Sequence, residues 1–221
     1  MNTEVLTPLL DALDILGVAV FALSGALVAA KERQTFVTMA FFALLTGVGG
    51  GTIRDLLIGA PVFWVSDPWV SAACLLVAML VWFTPTRWWD GKLLDYADGL
   101  GLTAYAVLGS AKALSYGLPP VPAMMMGVIT GTVGGVIRDV IAGRPSIIMR
   151  PELYVTAAAL SASLCVAGSW FELPRAPVWT VATLAGLALR SAAIHWGLGL
   201  PSYKEKDSAK VPQSTQDEIS P

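Results

Sequence analysis

Apolar residues along this chain fall into seven long blocks, near 9–30, 35–58, 68–84, 95–114, 120–142, 151–170 and 177–197. A helix that crosses a hydrocarbon core needs about 20 mostly apolar residues, so each block predicts a membrane-spanning helix. The blocks are separated by "KERQ", "GAPVFWVSDP", "TPTRWWDGK", "SYGLPP", "GRPSIIMRP" and "FELPRAP". Proline, glycine and charge concentrate in these breaks, as helix stops require. Residues 201–221 are polar and are predicted to form a disordered tail.

The second half of the pattern repeats the first. Adding 84 to a residue number carries "GVGGGTIRDLLIG" (47–59) onto "GTVGGVIRDVIAG" (131–143) with no gap, and "LLDALDILG" (9–17) onto "LLDYADGLG" (93–101). Arg54 and Asp55 map to Arg138 and Asp139, and Asp14 maps to Asp98. Apolar composition alone would match leucine with leucine, but would not align glycine, aspartate, arginine and proline together. Each copy holds three predicted helices, over 9–84 and 93–170, with a seventh at 177–197. An odd number of crossings turns the second copy over. The expected fold is therefore all-α: seven transmembrane helices in two inverted three-helix repeats plus one. Such repeats commonly build a pathway where the halves meet.

Charge supports the membrane reading and orients it. The chain is 55% hydrophobic and 14% charged, against about 25% charged in an ordinary soluble domain. Mean hydropathy is +0.66. Lys31 and Arg33, Arg87 and Lys92, Arg144 and Arg150, and the tail lysines lie in alternate connections. The positive-inside bias then places the N-terminus outside and the C-terminus in the cytoplasm. A net charge of −2 offers no basic field for nucleic acid. Cys74 and Cys165 lie within apolar blocks and read as small buried hydrophobes. With one histidine, no Ser-His-Asp set and no Cys/His cluster, the sequence predicts no enzyme, no metal site and no cofactor.

Candidate chemistry concentrates in the repeated motif. Gly49, Gly50 and Gly51, and Gly134 and Gly135 in the second copy, admit two readings. Small residues allow close helix packing in lipid. Alternatively, glycines break or kink a helix where freed backbone groups line a cavity. Intramembrane charges are costly and face partners or water. Depth pairs Arg54 with Asp14 or Asp11, and Arg138 with Asp98 or Asp95, as structural pairs or charged vestibules. Asp55 and Asp139 complete the motifs. Ser24, Thr46 and Thr130 are mid-membrane hydroxyls that either line a path or bond their own helix backbone. Lys112, near the outer end of the fourth predicted helix, either snorkels to the interface or responds to voltage.

These motifs, in two three-helix copies followed by a seventh helix, resemble the prokaryotic trimeric intracellular cation (TRIC) channel family. They also resemble bacterial inner-membrane proteins with two glycine-transporter-type domains. The resemblance covers residues 9 to 200. It implies an inner-membrane homotrimer, embedded in membrane lipid, with a pore in each subunit lined by glycine-kinked second and fifth helices. It also implies passage of monovalent cations, potassium chiefly and sodium, and a voltage-responsive role for Lys112. Val133 stands where the first copy has Gly49, a departure that predicts a stiffer second hinge. The alternative function is a transporter of a small zwitterion such as glycine, with freed amides holding its carboxylate.

Overall fold

The computed structural model describes residues 3–89, 92–149 and 152–201. The side chains of the first helical turns, Asp11 and Asp14 among them, and the tail beyond residue 201 lie outside the described residues. Among the described residues eight α-helices follow one another: α1 (Thr3–Lys31), α2 (Phe36–Leu57), α3 (Phe63–Ser66), α4 (Pro68–Phe83), α5 (Leu93–Ser115), α6 (Pro120–Ile141), α7 (Val155–Trp170) and α8 (Arg175–Trp196). The short α3 is the element that the apolar pattern did not predict. It is a single turn inside "PVFWVSDP", ended by Asp67, whose carboxylate caps Trp69 N–H at the start of α4.

Among the described residues three helices, Phe36–Leu57, Pro120–Ile141 and Arg175–Trp196, are long and apolar enough to cross a membrane. The distribution of polarity points the same way. Arg54, Asp55, Asp98, Arg138, Asp139 and Arg190 are buried, whereas Leu76, Leu80, Phe83, Trp170 and Leu184 are exposed. A soluble protein does the reverse, because water solvates charge and expels hydrocarbon. Here the outward surface suits lipid, and the chain is an integral membrane protein.

The helices pack in two groups of neighbours. α1 packs on α2 and α4, and α2 on α4; in the second half α5 packs on α6 and α7, and α6 on α7. α8 lies against α5 and α7. The halves meet through α2 with α6 and α1 with α5. At the α1–α5 contact, Phe21 and Tyr105, 84 positions apart, meet edge to face at 5.5 Å. Each ring lies over the other helix's glycine: Tyr105 covers Gly17, and Phe21 covers Gly101.

The α2–α6 contact has the same form. A Cβ added to Gly50 would fall on the carbonyl oxygen of Thr130, and one added to Gly134 would stand 2.5 Å from that of Thr46. The contact runs antiparallel, and a shift of 84 exchanges its two halves. Helical structure continues through Gly49–Gly51 and through Gly134–Gly135. Neither stretch is unwound, and of the two readings the close approach of the backbones is the one these contacts display.

Candidate functional site: two buried Arg-Asp motifs

Each motif sits at the C-terminal end of its helix, where a glycine ends the helix in the left-handed conformation. Gly59 has φ +68° and Gly143 φ +65°. Around them, Ala60 N–H bonds Asp55 O and Gly59 N–H bonds Leu56 O; Arg144 and Gly143 repeat both bonds to Asp139 and Val140. This double closure satisfies carbonyls that a helix end would leave orphaned. It also turns the chain back, so that the next segment lies over the aspartate.

The returning chain supplies a donor eight residues on. Asp55 Oδ2 accepts from Phe63 N–H at 3.0 Å, and Asp139 Oδ2 accepts from Ile147 N–H at 2.8 Å. The other oxygen holds the neighbouring arginine. Arg54 Nε donates to Asp55 Oδ1 at 2.8 Å, and Arg138 Nε to Asp139 Oδ1 at 2.9 Å. A carboxylate at a helix C-terminus opposes the helix dipole. The arginine and the amide offset that cost.

Beyond this shared frame the two sites diverge. In the first, Lys112 Nζ of α5 lies 2.8 Å from Asp55 Oδ1, so one carboxylate oxygen serves two cations. The Phe63 ring stands beneath both, 5.8 Å from Arg54 Cζ and 6.0 Å from Lys112 Nζ. In the second, Arg138 Nη1 is 2.7 Å from Asp98 Oδ1 of α5 and donates to Ser24 Oγ of α1. Ser24 in turn donates to Asp98 at 3.1 Å.

Asp98 and Lys112 are 14 positions apart on α5, or about 21 Å along a helix axis. The motifs therefore occupy opposite ends of the bundle, and Arg54 does not pair with Asp139. Lys112 is bound to Asp55, and its side chain is 28% exposed.

Of the three hydroxyls singled out in the sequence, Ser24 belongs to the second charge cluster. Thr130 donates to its own helix at Met126 O, 2.6 Å away. Thr46 Oγ1 is buried with no hydrogen-bond partner among the described residues. Sequence reasoning missed Tyr154 and Arg190, which extend the second cluster. Arg190 Nη1 lies 2.8 Å from Glu152 Oε2, and its guanidinium stands 5.3 Å from the Tyr154 ring. An arginine within an otherwise apolar block was the available signal.

The chain has counterparts among known proteins. The chain matches the Glycine transporter family twice, over residues 11–86 and 95–170. It belongs to this family of TRIC-type membrane proteins. A UPF0126 membrane protein of Vibrio cholerae is 37% identical over 215 residues, covering 91% of this chain and 86% of that protein. The UPF0126 inner membrane protein YadS of Escherichia coli K12 is 37% identical over 195 residues, 86% of this chain and 94% of its own. Among solved structures, the TRIC trimeric intracellular cation channel orthologue from Rhodobacter sphaeroides superposes with a TM-score of 0.80 at 39% identity. That match spans 86% of this chain and 99% of the other.

Proposed function

We propose that this chain is a monovalent-cation channel of the inner membrane, permeable chiefly to potassium. It works as a homotrimer with a pore in each subunit beside the α2–α6 crossing. Its N-terminus lies outside and its two halves form an inverted repeat. The observation that carries this reading is the pair of Arg-Asp motifs buried at opposite ends of an antiparallel, reciprocal helix crossing. Reciprocal antiparallel contacts are what two oppositely oriented copies of one unit require, and inverted repeats place pathways at their interface. The close likeness to a trimeric cation channel supports the same choice.

In this reading each motif forms a charged vestibule, and Lys112 above Asp55 closes one mouth. Opening draws Lys112 off the carboxylate and loosens α2 against α6 about the glycine contacts, with Ser24, Thr46 and Thr130 beside the path. No chemical step is involved.

The family's glycine-transporter description favours one second reading, a carrier for a small zwitterion. One experiment separates the two. Purified protein in liposomes is given a potassium gradient in one set and labelled glycine in another. Electrogenic potassium flux with single-channel steps in planar bilayers is the expected result. Saturable glycine uptake without such currents would replace the channel with a carrier.

A further inference from the structure

We infer that Arg190 and Tyr154 are positioning residues that hold Asp98, and thereby set the charge which the Arg138 end of the molecule presents to permeating cations. This rests on the channel reading above.

Arg190 belongs to α8, the helix outside the repeat, and heads the largest fully buried side chains at 1% exposure. It forms an ion pair with Glu152, whose side chain is 37% exposed and so marks the rim. Its guanidinium covers the Tyr154 ring, a favourable cation–π arrangement when desolvated. The Tyr154 hydroxyl in turn faces the Asp98 carboxylate. Two glycines make the room. A Cβ on Gly99, next to Asp98 in the chain, would stand 2.9 Å from Arg190 Cγ; one on Gly135 would stand 3.0 Å from the Tyr154 hydroxyl.

The contacts form one line: Glu152, Arg190, Tyr154, Asp98, Arg138, Asp139. It sets three carboxylates against two guanidinium groups. At the other end, among the described side chains, Asp55 alone faces Arg54 and Lys112.

The line is not a closed hydrogen-bond lock. Arg190 Nε, the Tyr154 hydroxyl and Asp98 Oδ2 are buried and make no hydrogen bond of good geometry among the described residues. Buried polar atoms are nearly always paired. Asp98 is held through Oδ1 by Arg138 and Ser24, which leaves Oδ2 as the oxygen on which Tyr154 can act.

Three substitutions remove little that packs. Tyr154→Phe deletes only the hydroxyl, and Arg190→Lys keeps the charge while losing the fork; Arg190→Gln removes the charge. Each is reconstituted in planar bilayers with symmetric potassium chloride, and currents at equal positive and negative voltages are compared. Tyr154→Phe should unfold like the unmodified protein yet shift the current ratio. Arg190→Gln should shift it by about two-fold, the effect of one charge acting through about 10 Å of water, and Arg190→Lys should restore part of that.

An unchanged ratio in Tyr154→Phe and Arg190→Gln would overturn the proposal. A second readout does not depend on conduction. Arg190→Gln and Asp98→Asn, alone and together, are compared for unfolding in detergent. Non-additive losses support the link, and additive losses overturn it. If the unmodified protein passes no cation current, the channel reading fails, and this cycle still decides whether Arg190 and Asp98 are coupled.

Discussion

A single carboxylate oxygen, Asp55 Oδ1, carries the first motif, since Arg54 and Lys112 both converge on it. Removing its charge takes from the buried Arg54 guanidinium the one carboxylate that faces it among the described side chains. Losing one partner of a buried pair costs about 3–5 kcal/mol, whereas a partly exposed pair is worth about 1 kcal/mol or less. Asp55→Asn should therefore lower stability to denaturant in detergent by about 3–5 kcal/mol. Lys112→Met should cost about 1 kcal/mol at most, because Asp55 keeps Arg54 and Phe63 N–H. Equal losses would mean that Lys112, not Arg54, carries the site. This difference was only half legible in the sequence. The repeat exposed Arg54, Asp55 and their partners in the second copy, because charge in an apolar block stands out. Nothing placed Lys112 on Asp55, since no residue of like chemistry occurs at position 28, its counterpart 84 earlier.

At the scale of elements, the glycines decide how near two helices come. The sequence left close packing and helix rupture open. Glycine costs about 1 kcal/mol of helix propensity in water, which made a break plausible. In lipid, an unwound backbone gains no water in exchange for its lost bonds, so α2 stays helical through Gly49–Gly51.

The positions are not equivalent. An added methyl at Gly50 or Gly134 meets backbone carbonyl, which cannot move aside; at Gly49 its one tight contact is the flexible tip of Ile137, at 2.9 Å, with Gly134 Cα at an ordinary 3.8 Å. Gly50→Ala and Gly134→Ala should each destabilise by about 1–3 kcal/mol, the usual cost of overpacking. Gly49→Ala should be neutral or stabilise by up to about 1 kcal/mol through propensity. Thermal unfolding of the three variants in one detergent checks the order, and equal effects would sink it. Val133, the counterpart of Gly49, already shows that the matching site accepts a side chain. Gly59 is a third case: its surroundings are open, but φ is +68°. Gly59→Ala should cost about 1–2 kcal/mol from the backbone alone.

Across the whole molecule, charge on one helix links the two ends. α5 carries Asp98 in the Arg138 cluster and Lys112 in the Arg54 cluster, so any shift of α5 changes both at once. α8 adds a buried cation at one end only, which the repeat could not foretell because α8 has no mate. If Lys112 leaves Asp55 when the pore opens, its charge moves through part of the membrane field. Carried across a full 100 mV drop, one charge is worth about 2.3 kcal/mol, about a 50-fold bias between two states. A partial traverse gives a proportionally smaller exponent, still measurable as steepness. In Lys112→Met the ratio of open probability at opposite voltages should fall toward one, while conduction persists because the α2–α6 crossing is untouched. Unchanged steepness would make Lys112 a structural partner of Asp55 and move the voltage-sensitive charge to another residue.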